Sequence, residues 1–424
     1  MKQPLLAVAI ATIVCSLAAC QRPASDASDA SAVAAPVATP VAPADAPASQ
    51  PAAPTTDFAA LAQRLVTQSA AVKPGEVVLI SGRGHDAALL EEIAVEVAKA
   101  GGHPMVDYSS DALSKRLFFD VPEQYDSQPD VLGTKMAEVV DVVISLNNST
   151  AENLLEGADP KRLAVRSKAS EAVQQAFQRN NVRTVDIGNN LYPTAWRAER
   201  YGMPQEALAK MFWEGVNVDY TELQARATQV KAALAAGNEL HITNPNGTDL
   251  KLRVQGRPVM ASDGIISADD IKQGGPAVAV YLPAGEVYTT PVPGSASGKV
   301  VQTRTYFRGK QVDDLTLDIA DGKVTGMSGG GPGYADLKAA YDAVEDVRKD
   351  LLSFIDLGIN PNIKLAADSK VGNWVPAGAV TVGTGNNLWA GGDNSVPYSQ
   401  DMSLPGSTVT LDGKVVVENG ELKL

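Results

Sequence analysis

From Asp57 to about residue 237, short apolar runs alternate with stretches of helical periodicity. Val77 to Ile80, Asp141 to Leu146 and Val182 to Ile187 have the length and density of buried strands. Asp57 to Val72 carries apolar residues at helical spacing, as does Ala87 to Ala100, which Gly101-Gly102 stops at its C-terminal end. Strand, helix, strand in this order implies a βαβ arrangement, because parallel neighbours need a crossover between them. The first folded unit is therefore expected to be an α/β domain around a parallel sheet.

A long helix, Val218 to Ala236, ends at Gly237, and beyond it the character changes. Leu240 to Thr243, Leu250 to Val254, Val278 to Leu282, Val300 to Phe307 and Leu315 to Ile319 alternate or run apolar between Gly, Asn and Asp turns. This half is expected to be β-rich and mostly antiparallel. Tyr334 to Ile355 reads as one helix within it, and Val409 to Val417 with Leu422 to Leu424 as a closing hairpin around Glu418-Asn419-Gly420. The chain thus divides into residues 57–237 and 238–424 as two domains, which suits its length of 424 residues.

Hydrophobic residues make up 45%, enough for a substantial core. The formal net charge is −13, so the surface has little with which to neutralise phosphates, and a nucleic-acid partner is not expected. The two cysteines, Cys15 and Cys20, both lie near the start, which excludes a disulfide framework and a cysteine-based zinc site. The three histidines are His85, His103 and His241, and none follows His241.

Lys2 and the apolar run Leu5 to Leu17 read as a signal peptide, being too short to span a bilayer. The run ends in Leu17-Ala18-Ala19-Cys20, which resembles the lipobox of bacterial lipoproteins. That resemblance implies removal of residues 1–19 and lipidation of Cys20. Gln21, not Asp, follows the cysteine, which points to the periplasmic face of the outer membrane. Residues 20–56 form an Ala/Pro-rich tether that cannot bury enough apolar surface to offset its ordering entropy.

Five segments, in order, resemble the M29 metal-dependent aminopeptidases of the thermophilic aminopeptidase T and S type. They are Val72 to Ile80 (VKPGEVVLI), Asn217-Val218-Asp219-Tyr220, Ile242 to Leu250 (ITNPNGTDL), Leu282 to Pro291 (LPAGEVYTTP) and Leu357 to Asn362 (LGINPN). The resemblance implies an α/β domain followed by a β-rich domain, a homodimer, and a two-metal site that removes the N-terminal residue of a peptide. In such a site two divalent ions polarise the scissile carbonyl and acidify a bridging water, held by carboxylates and imidazoles.

Carried over by position, Glu286 matches the family's first metal-binding Glu, and Asp356 stands where the second Glu falls. These two are the candidate catalytic residues. Thr381 occupies the place of one ligand His, in Gly378-Ala379-Val380-Thr381-Val382. Tyr398 stands near the place of the other, and Asp401 falls one residue late for the family's last Asp. An oxygen-only set of Glu286, Asp356 and Asp401 suits Mg²⁺, Ca²⁺ or Mn²⁺ better than Zn²⁺ or Co²⁺. Two functions stay open: an aminopeptidase using metal on these carboxylates, or a protein that binds peptides in the same cleft without metal.

Other constellations are weaker. Gly326-Met327-Ser328-Gly329-Gly330 has the form of a nucleophile elbow, but no downstream His exists to serve as base, and a Gly-rich loop is expected. Ser81 to Asp86 follows a strand and reads as a turn, with Asp86 capping the next helix. His85 and His103 are expected at the surface, and His241 as a structural residue at a strand start. Tyr192, Trp196 and Tyr201, and Trp374, Trp389 and Tyr398, are expected in core packing or a dimer interface.

Overall fold

The computed structural model describes residues 56–424. The signal peptide, Cys20 and the tether lie outside the described residues. Among those described, no helix is long and apolar enough to cross a membrane.

Three sheets organise the chain. The first is parallel throughout, with strands in the order His103–Ser109, Val77–Arg83, Val142–Leu146, Arg183–Ile187 and Ala279–Leu282. The helix Ala87–Lys99 crosses between the first two and buries Leu89, Leu90, Ile93 and Val97, a three-and-four spacing that presents one stripe to the sheet. Each such side chain contributes roughly 1.5–3 kcal/mol on leaving water. The α/β architecture and the β-rich remainder are as the sequence implies.

The second sheet has eight antiparallel strands, in the order Lys323–Gly330, Lys310–Ala320, Ser297–Phe307, Asp249–Arg253, Glu239–Thr243, Thr408–Leu411, Lys414–Glu418 and Glu421–Leu422. The third is antiparallel with five strands, Ser399–Ser403, Val380–Gly385, Leu352–Gly358, Glu286–Thr289 and Val259–Ser262. The helix Tyr220–Ala236 packs on this third sheet at the Val259–Ser262 and Glu286–Thr289 strands. Asp219 caps it by accepting from the N–H groups of Thr221 and Glu222.

Five local readings change. Tyr334 to Ile355 is not one helix: the helix stops at Asp342, and Leu352–Gly358 is a strand buried along its whole length. A run apolar on both faces carries no period-2 signal, so pattern alone cannot separate it from a buried helix. Ala279–Leu282 pairs parallel with Arg183–Ile187, so this segment past residue 237 completes the first sheet. Gly326 to Gly330 is the end of a strand paired with Lys310–Ala320, not a loop or an elbow. Asp86 makes no capping bond, because its carboxylate accepts instead from Asn148 Nδ2 and the Tyr192 hydroxyl. The hairpin expected around Glu418-Asn419-Gly420 forms, but Val409 to Val417 is not one strand: Thr408–Leu411 and Lys414–Glu418 make a further hairpin.

Candidate functional site

The site lies where the parallel sheet hands the chain to the third sheet. Ala279–Leu282 ends at Pro283-Ala284-Gly285, and Glu286 begins the next strand at once. Only glycine fits before it. Gly285 has φ +133°, and a Cβ there would stand 2.7–3.0 Å from the Cβ, N and Cα of Asn360. Asn360 is fully buried and donates to the carbonyls of Gly215 (3.1 Å) and Ala284 (2.6 Å), while its Oδ1 accepts from the Asn362 N–H. The LGINPN segment therefore clamps the loop that aims Glu286.

Register gathers the predicted residues on one face. Asp356 lies directly opposite Thr381, and Thr381 opposite Ser403. Glu286 pairs with Gly358, two residues on from Asp356, and Asp401 pairs with Gly383, two on from Thr381. Residues opposite each other, or two apart, share a sheet face. Glu286, Asp356, Thr381, Ser403 and Asp401 therefore all project to the same side. Tyr398 precedes the Ser399–Ser403 strand and rests its ring on Tyr341, 5.6 Å away, so it does not join this row.

All of this row except Asp401 is buried. Tyr288, opposite Asp356, packs on Trp389 at 4.9 Å, and Trp389 packs on Phe354 at 4.7 Å. A Cβ at Gly383 would run into the Phe354 ring, so glycine there makes room for this aromatic cover. Burial raises both Glu286 and Asp356, and the charges of Glu286 and Asp401 raise Asp356 further. Asp401 is reached by solvent, yet the protein around its carboxyl holds it at about 6.

One partner of Glu286 comes from the other sheet. Asn189 follows the C-terminal end of the Arg183–Ile187 strand and donates from Nδ2 to Glu286 Oε1 (2.9 Å) and to the Pro283 carbonyl (2.9 Å). Its Oδ1 accepts from Trp374 Nε1 at 2.9 Å. Sequence reasoning missed Asn189. A signal existed: it lies just past the carboxyl end of a parallel strand, where open α/β sheets place their ligands.

A cavity of about 140 Å³ adjoins the Asp401 and Ser403 end of this row. Its walls include Arg197 and Arg200 from the helix Ala195–Tyr201, Gln302 and Tyr306 from the Ser297–Phe307 strand, Trp374, and Asp401. Tyr201 is buried in the core and Trp374 packs against it, as expected, and both also line this space together with Trp196.

The donor set does not fit a two-metal site of the resembled kind. Among the described residues no group of three or more His, Cys, Asp or Glu side chains is arranged to hold a metal ion. The Thr381 hydroxyl sits 3.3 Å from that of Ser403, a neutral pair where an imidazole ligand is expected. Asp356 Oδ1 is buried without a hydrogen-bond partner. His85 and His241 are engaged elsewhere, with the Tyr192 hydroxyl and Asp249 respectively.

Among solved structures, wild-type AmpT from Thermus thermophilus shares 17% identity with a TM-score of 0.65, over 87% of this chain and 99% of that one. The 2,5-dihydroxypyridine dioxygenase from Pseudomonas putida KT2440 shares 16% identity with a TM-score of 0.55, over 86% of this chain and 96% of that one. At such identity the likeness is one of fold. No curated protein matches the chain. The family model for thermophilic metalloproteases (M29) matches residues 55–338, a span that includes Asn189 and Glu286 and stops before Asp356. The chain belongs to the M29 peptidase family.

Proposed function

We propose that this M29 protein binds short peptides without hydrolysing them through a two-metal centre. The observation that carries this reading is Thr381. It lies opposite Asp356 in the sheet, at the place of a ligand histidine, and its hydroxyl faces Ser403. A neutral hydroxyl is a poor ligand for the divalent ions that M29 chemistry uses. The cleft itself is kept. Glu286 is still aimed by the clamped Gly285 loop and still bonded by Asn189. A peptide's N-terminal ammonium is a cation of the right sign for this row of carboxylates.

The second reading is an aminopeptidase with an altered metal set on Glu286, Asp356 and Asp401, which shares its oxygen donors with Mg²⁺ or Mn²⁺ sites. Calorimetry with tetra-alanine, alongside an assay for released alanine, separates the two. Binding with no free alanine, in the presence or absence of added Mn²⁺, Co²⁺ or Zn²⁺, is expected. Release of alanine that Glu286→Ala abolishes overturns the binding reading.

Placement completes the proposal. Lipidation at Cys20 and the Ala/Pro tether would hold the folded part at the outer membrane, facing the periplasm, as a homodimer. Mass spectrometry of the membrane-extracted protein tests the lipid.

A further inference from the structure

Three residues that line the cavity beside Asp401 carry buried polar atoms, of both kinds, that lack partners. Arg197 donates from one terminal nitrogen to the Tyr192 carbonyl at 2.6 Å, and its buried Nε has no acceptor. Trp196 Nε1 is likewise buried without an acceptor. Gln302 is 5% exposed, lines the cavity, and its Oε1 has no donor. Side chains left with unmet hydrogen-bonding capacity beside a cavity are the ones a polar ligand there can satisfy.

The charges are also separated by element. Arg197 and Arg200 come from one helix, and Asp401 from the third sheet. Arg200 is already paired with Glu152 and lies 3.7 Å over the Tyr306 ring. Arg197 stacks 4.2 Å over Trp196 and has no carboxylate partner among the described residues. A guanidinium held over an indole loses less freedom on meeting a planar carboxylate. On the opposite account, Asp401 offers a carboxylate and Gln302 a carbonyl, both suited to an ammonium.

We infer that the cavity reads both ends of a very short peptide, its terminal carboxylate on Arg197 and its terminal ammonium on Asp401 and Gln302. This rests on the peptide-binding reading and narrows it to ligands with two free termini. Trp374 joins the two parts of the cleft, since it lines the cavity and bonds through Asn189 to Glu286.

The test is calorimetry on the full chain with four probes: Ala-Ala, Ala-Ala amide, N-acetyl-Ala-Ala and tetra-alanine amide. Blocking either end of the dipeptide is expected to weaken binding by about tenfold or more. Arg197→Gln is expected to weaken Ala-Ala to the same degree while leaving the affinity for Ala-Ala amide unchanged. Thermal unfolding checks that the variant folds, and the blocked probes need no variant at all. If Ala-Ala amide binds the wild-type chain as tightly as Ala-Ala, recognition of the carboxylate is overturned, and peptide binding as such stands. If none of the four probes binds, both readings fall.

Discussion

Asn189 and Glu286 meet across the junction of two sheets, the Asn189 Nδ2 donating to Glu286 Oε1 at 2.9 Å. They are 97 residues apart in sequence. The same amide group bonds the Pro283 carbonyl and Trp374. Asn189→Ala leaves a buried carboxylate and an indole N–H without these partners, so a stability loss of about 1–3 kcal/mol is expected in urea unfolding. Asn189→Asp should lose more, because it sets a second carboxylate against Glu286.

The loop that aims Glu286 tolerates no side chain at Gly285. Gly285→Ala combines a φ of +133° with a Cβ 2.8 Å from the Asn360 backbone nitrogen. A loss of about 1–3 kcal/mol is expected from the backbone conformation, and the contact adds to it. Thermal unfolding should show a clear drop in midpoint. Gly84→Ala, where a Cβ meets nothing within 4 Å, serves as the control and should leave it near wild type.

How far the site was readable follows from these two residues. Glu286 was visible because its neighbours Leu282 to Pro291 form one contiguous pattern. Asn189 was not, because its role depends on a neighbour from another sheet. Asp356 falls in the sequence just past an expected helix and in the structure inside a strand, since Leu352–Gly358 is buried on both faces and follows a true helix. That Glu286, Asp356, Thr381 and Asp401 share a face appears only once the register is known. The helices Ala87–Lys99 and Tyr220–Ala236 were legible because each shows one apolar stripe and a glycine stop. The Arg197 and Gln302 walls of the cavity belong to elements about a hundred residues apart, and no local pattern links them.

Outside the site, Asp126 anchors the helix Pro160–Arg179 to the segment before it. It accepts from Arg162 Nε at 2.6 Å and Arg166 Nε at 2.5 Å, and both guanidinium groups lie 4.8 Å over the Phe118 ring. Arg162 above all holds its carboxyl down, to about 2 from 3.8. A lowered folded value means stability that is present above the unfolded value and fades as pH falls through the folded one. Asp126→Asn should therefore be less stable than wild type at pH 5 to 7, with the gap closing between about pH 4 and 2. Denaturant unfolding across that range checks the sign.

Asp186 shows the opposite sign. It sits in the parallel sheet with the Ser145 hydroxyl donating to it at 2.9 Å, and burial raises it to about 6. A raised folded value gives stability that is full below the unfolded value of 3.8 and is lost as pH rises through 6. Asp186→Asn should match wild type near pH 4 and exceed it at pH 7. A wild-type advantage at pH 7 would contradict this.

The central claim, as proposed above, is that loss of the ligand histidines has ended two-metal hydrolysis while the cleft persists. The most direct measurement is the metal content of the purified chain, taken together with its aminopeptidase activity after loading with Mn²⁺, Co²⁺ or Zn²⁺. The account predicts well under one equivalent of transition metal and no release of an N-terminal residue. Two tightly held equivalents, with an activity that Glu286→Ala removes together with the metal, would contradict it.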